Sequence, residues 1–186
     1  RDPLAESTGG RLLAHHDLHV ALEPLRKIRD AVGDRMDVML EMHSVWDLPS
    51  ARTIAAAVDE LSPFWYEDPV KLDDLGALRE FAESTSVPVA AGETLGTRWS
   101  VRELLERRAA GVVNFDPAFV GGIYESRKIA AMTEAHQRPV ATHDCNGPVV
   151  FSIDVHLSVS LPNAMIKEFV RAYYSTWYRD LVTELP

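Results

Sequence analysis

Residues 37–69, DVMLEMHSVWDLPSARTIAAAVDELSPFWYEDP, read as strand, helix, strand. The run DVMLEM (37–42) has strand length and is apolar almost throughout. Pro49 and Ser50 then open a helix whose Ile54, Val58 and Leu61 recur at i, i+4 and i+7, one face of a helical repeat. PFWYE (63–67) is aromatic and strand-like. Neither run alternates between polar and apolar residues, so both are expected to be buried on two faces, as parallel strands between layers are.

The same unit repeats along the chain. Asp73 or Asp74 caps a helix carrying Leu75, Leu78 and Ala82, and PVAAG (88–92) is the next strand. A helix from about Arg98, strand GVVNF (111–115), a helix after Gly121-Gly122, strand PVATH (139–143), a helix opened by Gly147-Pro148, and strand AMIKEF (164–169) follow. Upstream, Asp17 is the expected N-cap of a helix ending at Gly33. The first ten residues, RDPLAESTGG, read as loop. Repeats of about 25 residues, one strand and one helix each, define a parallel α/β fold. A (β/α) barrel and a doubly wound sheet both fit. The missing Gly-x-Gly-x-x-Gly turn speaks against a nucleotide-binding sheet.

Composition narrows the function classes. Hydrophobic residues make up 46% and charged ones 25%, which excludes a disordered chain. A net charge of −9 without a Lys/Arg cluster argues against nucleic acid. No apolar run has the length to span a bilayer, so no membrane role is expected. Cys145 is the sole cysteine and cannot form an intrachain disulfide, which suits a reducing, cytoplasmic setting.

The informative residues stand at the strand ends. The first strand ends in Glu41 with His43 two residues on, and the second ends in Glu67. Glu93 follows the third, Asp116 the fourth, His143 ends the fifth, and Glu168 lies in the sixth. The C-terminal strand ends form the active face of parallel α/β folds. Glu41, Glu67 and Glu93 are spaced 26 residues apart, which puts them at equivalent points of successive strands. Ion pairs at strand ends would produce this pattern, and so would a hard divalent cation held by oxygen ligands. A capping hydrogen bond is the plain alternative for His143, and an ion pair with Lys167 or Arg171 for Glu168. In an extended strand His43 would point to the same side as Glu41. His15, His16 and His19 read as solvated surface. Cys145 reads as a small pocket-lining residue, and Tyr173, Tyr174, Trp177 and Tyr178 as packing for the C-terminal segment.

The segments Glu67-Asp68-Pro69 and Gly92-Glu93-Thr94, Asp116 followed by Gly121-Gly122-Ile123, and His143 followed by Gly147-Pro148 together resemble the enolase superfamily. More narrowly they resemble its mandelate racemase subgroup and the acid-sugar dehydratases of galactonate type. The resemblance runs from about residue 17 to 186. It implies a (β/α) barrel in which residues 17–170 supply about six of eight βα units. Residues 1–16 would be loop or the remnant of a preceding segment, and 171–186 a C-terminal segment. The first strands and an N-terminal capping domain would belong to a longer polypeptide, as the start at Arg1 rather than Met also suggests.

The resemblance further implies one Mg²⁺ held by Glu41, Glu67 and Glu93, and a small anionic sugar acid as substrate. It makes His143 the base that removes the proton alpha to the carboxylate, and Asp116 the residue that orients it. His43 would be the acid that protonates the leaving hydroxyl, and Glu168 a hydrogen-bonding partner of the substrate. The expected reaction is dehydration to a 2-keto-3-deoxy acid. A racemase, epimerase or cycloisomerase using the same proton abstraction, and a non-catalytic fragment, are the alternatives. A racemase of this kind often carries Lys-x-Lys on an earlier strand, and none occurs here. Similar enzymes often assemble, so a homo-oligomer is expected of the full-length form. The first metal ligand in the subgroup is most often Asp. Glu41 is longer by one methylene, which bears on substrate placement more than on reaction class.

Overall fold

The computed structural model describes residues 13–184. The loop expected at the N-terminus lies largely outside the described residues, as do the last two residues of the C-terminal segment. The chain divides into two compact units. The first comprises residues up to Ala90 together with Arg107–Ala110, and the second Ala91–Glu106 together with Gly111 onward.

In the first unit, helix α1 (His15–Val32) is followed by strand β1 (Leu40–Glu41), α2 (Leu48–Val58), β2 (Tyr66–Glu67), α3 (Leu75–Ala82) and the start of β3 (Val89–Ala91). The strands pair parallel in chain order, Leu40 with Tyr66 and Glu41 with Glu67, then Tyr66 with Val89 and Glu67 with Ala90. Local chemistry sets the helix starts. Asp47 accepts from the Ser50 N–H at 2.9 Å, with Pro49 in the first turn of α2. Asp74, rather than Asp73, caps α3 through the N–H groups of Gly76 and Ala77. Asp17 is not a cap: α1 begins two residues earlier, after Ala14, and Asp17 sits in its first turn, where its charge meets the positive end of the helix dipole.

The core of this unit lies between strands and helices. Tyr66 is fully buried, packs edge-on against Phe81 at 5.8 Å and donates its hydroxyl to the Ala55 carbonyl of α2. Its neighbour Glu67 must therefore face the other side of the sheet. This alternation lets an apolar strand carry one ionisable side chain on its other face.

The second unit holds the end of β3, α4 (Thr97–Glu106), β4 (Val112–Val113), α5 (Pro117–Val120), α6 (Ile123–Ala135), β5 (Val140–Thr142), α7 (Pro148–Ser160), β6 (Ala164–Lys167) and α8 (Arg171–Tyr174). The Asn114 N–H donates to the Ala91 carbonyl, Val113 pairs with Val140, and Thr142 pairs with Lys167, all parallel. Val101, Leu104, Val113, Phe115, Ile129 and Val140 form its fully buried core. Within each unit the strand order follows the chain, without the reversal that defines a doubly wound sheet.

The strands are two to four residues long, shorter than the apolar runs that announce them. Pro63, Pro88 and Pro139 open three of those runs and have no N–H to give. The Pro88 and Pro139 carbonyls still accept, from Tyr66 and Val113. At the other end the chain leaves β2 and β3 through left-handed backbone at Asp68 (φ 39°) and Gly92 (φ 131°). Of the C-terminal aromatics Tyr174 and Tyr178 pack as expected, the first 4.4 Å from Phe151 and the second buried, whereas Tyr173 and Trp177 stay exposed.

Candidate active site

In the first unit the site residues follow from register. Glu41 and Glu67 are direct partners on neighbouring strands. Glu67 is nearly buried, and one of its oxygens accepts from the Trp65 indole N–H at 2.9 Å. Trp65 stands two residues earlier, just before β2, so period two along the extended run alone could have found this partner. Glu41 is 30% exposed at its side chain. Ala90 is the register partner of Glu67, and Glu93 follows it by three residues.

His43 departs from the expectation. It does not continue an extended strand, because His43 and Ser44 both adopt left-handed backbone, φ 57° and 53°. A local turn brings it to Glu41 instead: the His43 N–H donates to Glu41 Oε1, and its Nδ1 lies 3.8 Å from that oxygen. Ser44 closes the turn by donating its hydroxyl to Asp68, a fully buried carboxylate. The His43 ring is 74% exposed.

In the second unit Asp116, His143, Glu93 and Glu168 come together. Asp116 is fully buried and accepts at 2.7 Å from the Ala118 N–H, capping α5. Its other oxygen is 2.7 Å from His143 Nδ1 and also accepts from the Asn146 amide. The opposite ring nitrogen, Nε2, faces Glu93 Oε2 at 3.3 Å and Glu168 Oε2 at 3.9 Å. Burial pulls the imidazole pKa down. The hydrogen bond to Asp116 and the charges of Glu93 and Glu168 outweigh that pull and raise it to about 9. Asp116 thus fixes which nitrogen carries its proton toward the protein and which is offered outward.

Two partners here escaped the sequence. Asn146 adds a third donor to Asp116, and its position in the loop after β5 gave no periodic signal. Lys167 does not turn toward the side of Glu168. It lies on the other side of β6 and pairs with Asp144 at 3.2 Å. Cys145 is exposed. Partial burial and the carboxylates of Asp116, Glu93 and Glu168 raise its thiol pKa, the reverse of what activates a nucleophile. His15, His16 and His19 are exposed on α1, as expected. Among the described residues no helix is long and apolar enough to cross a membrane.

Parallel βα units with acidic side chains, and in the second unit an aspartate–histidine pair, past the C-terminal ends of their strands have the pattern of a (β/α)-barrel fold. Comparison with known proteins narrows this. Residues 7–186 match the family described as enolase C-terminal domain-like, and the chain belongs to that family. It is 30% identical over 174 residues to a D-xylonate dehydratase of Haloferax volcanii, covering 94% of this chain and 42% of that protein. It is 31% identical over 181 residues to a D-gluconate dehydratase of Thermoproteus tenax, covering 97% and 36%. Among solved structures, an enolase of the mandelate racemase subgroup from Agrobacterium tumefaciens superposes with a TM-score of 0.94 at 52% identity, covering all of this chain and 50% of that one. An enolase from Sargasso Sea environmental sequence superposes with a TM-score of 0.92 at 39% identity, covering 100% and 50%. The chain therefore spans about two fifths of the curated relatives it matches and half of these solved chains.

Proposed function

We propose that the full-length protein is a sugar-acid dehydratase in which Glu41, Glu67 and Glu93 hold one Mg²⁺ and His143 removes the proton alpha to the substrate carboxylate. The observation that carries this reading is the buried Asp116–His143 pair, 2.7 Å apart, with Nε2 turned toward Glu93 and Glu168. The resemblance to named xylonate and gluconate dehydratases supports the substrate class.

The donor set fits the ion. Three carboxylates with no softer ligand suit a hard divalent cation. Glu41 and Glu67 are register partners, and Glu93 is three residues beyond the next partner in line. Bound there, the cation would stabilise the negative charge that develops on the substrate carboxylate as the alpha proton leaves.

The remaining steps belong to side chains. Asp116 holds Nδ1, so Nε2 is the atom that accepts the proton. When the charge of Glu93 is committed to a ligand, it no longer holds a proton on His143. Glu168 contacts the carboxylate end of the substrate. His43, open to the substrate side, protonates the departing beta-hydroxyl. The enol that results tautomerises to a 2-keto-3-deoxy acid. A cytoplasmic location and assembly of the full-length form into a homo-oligomer belong to the same proposal, the first supported by the single cysteine.

The test is a panel of aldonate and aldarate salts given to the full-length protein with Mg²⁺, scored for keto acid. His143→Asn should lower turnover by orders of magnitude while Mg²⁺ binding, followed by calorimetry, persists. Unchanged turnover would remove His143 from its role. Exchange of the alpha proton with deuterated solvent, without keto acid, would instead mark a racemase or epimerase.

A further inference from the structure

The ends of β5 and β6 each carry polar residues on both sides. His143 and Glu168 face one side, where Nε2 and Oε2 are 3.9 Å apart. Asp144 and Lys167, each next door in sequence, face the other. There Lys167 Nζ lies 3.2 Å from Asp144 Oδ2 and 3.4 Å from the ring centre of Phe151 on α7. Asp144 is 1% exposed and the Lys167 side chain 13%. The two strand ends are joined directly between these pairs, by the register of Thr142 with Lys167 and the Glu168 N–H donating to the Thr142 carbonyl.

Asp154, one helical turn from Phe151 on α7, is fully buried beside this pair. Among the described residues neither of its oxygens meets hydrogen-bond geometry. Burial pushes its pKa up to about 8, against the opposing pull of Lys167 and the Thr142 hydroxyl. At neutral pH Asp154 is therefore mostly uncharged, and Lys167 has Asp144 as its charged partner behind the strands. Taking either member of such a pair away leaves a buried charge uncompensated. Taking away one member makes the strand ends shift to bring in water or another partner, and taking away both removes the tie that Lys167 and Asp144 make between the two strand ends on this side.

We propose that Lys167 and Asp144 are positioning residues: their ion pair, on the helix side of β5 and β6, sets the approach of His143 to Glu168 on the reactive side. This rests on the dehydratase reading for its catalytic consequence, but its geometry can be tested apart from it. Two variants of the full-length protein serve. Lys167→Met keeps the apolar stem and removes the charge. Asp144→Asn with Lys167→Met removes both charges, so it leaves no buried ion unpaired and keeps a foldable interior.

Crystal structures of the variants should show the His143–Glu168 separation widened by about 1 Å. Displacement of that size lowers kcat by ~10- to 100-fold, while KM should stay within about threefold, because neither residue touches substrate. A role in stability alone would lower Tm and leave both the separation and kcat unchanged, and that result in the double variant overturns the inference. If the wild-type protein dehydrates no sugar acid but the variants still widen the pair, the positioning inference stands and the dehydratase reading falls.

Discussion

The end of β1 and the ends of β4 and β5 differ in how closely their side chains are held. Glu41 and His43 stand partly or largely open, 30% and 74% exposed at the side chain, and are tied together through a backbone N–H in a tight turn. Asp116 and His143 are 0% and 9% exposed and locked by three donors on one carboxylate. Under the proposed function the exposed Glu41–His43 corner would have room to adjust as substrate enters, and the buried pair assigned to removing the alpha proton would be preorganised, because misplacement there acts on the barrier itself.

The sharpest way to break this contrast is Asp116→Asn. The cap on α5 can survive, since Asn also caps, but the imidazole loses the partner that fixes its tautomer. Turnover of the full-length protein should fall by about 10³- to 10⁴-fold with little change in substrate affinity. A loss of less than tenfold in steady-state kinetics would mean that the buried pair is not the rigid half of the site.

The second test concerns how tightly the rigid region is closed. Burial raises the folded-state pKa of Asp154 to about 8 from its ordinary 3.8. The native chain therefore holds a proton that the unfolded chain releases across that window. Stability should fall as pH rises from about 4 to 8, by at most ~1.4 kcal/mol per pH unit, and level off above. The groups acting on Asp154 are Lys167 from β6, Asp144 and Thr142 from the end of β5, and Asp116. Asp154→Asn should flatten the slope in urea titrations at pH 5, 6.5 and 8. An unchanged slope would locate the linkage elsewhere.

A smaller effect is expected in the open region. His43→Gln should reduce keto-acid formation by about 10²-fold but leave alpha-proton exchange with solvent in place, since proton removal is assigned to His143. Parallel loss of both activities would contradict the division of labour. Smallest of all, Asp47→Ala removes the cap of α2 and should cost about 1 kcal/mol without altering kinetics, as read by thermal unfolding beside activity.

Much of this was legible in the residues. Apolar runs without polar alternation, separated by helices at a repeat of about 25 residues, were enough for parallel βα units, because strands buried on both faces sit between layers. The pairing of Asp116 with His143 came from the family resemblance, and their places at adjacent strand ends agree with it. The turn at His43 and Ser44 did not, because neither is a glycine and nothing local announces positive φ. The orientation of Lys167 needed the register of β5 and β6: beside Glu168 in sequence, it seemed a neighbour, yet consecutive strand residues face apart. Asp17 looked like a cap because acidic residues suit both the cap and the first turn that it occupies.

The left-handed exits from the strands have a wider consequence. After β1, β2 and β3 the chain turns sharply at His43-Ser44, Asp68 and Gly92. The reactive groups at 41, 67 and 93 all lie within two residues of such a turn, while the loops begin directly beyond it. An insertion or replacement past these corners lengthens a loop without stretching the strand behind it. Under the proposed function, loops beyond these corners could change length, and with it the substrate accepted, while Glu41 and Glu67 keep their places at the strand ends.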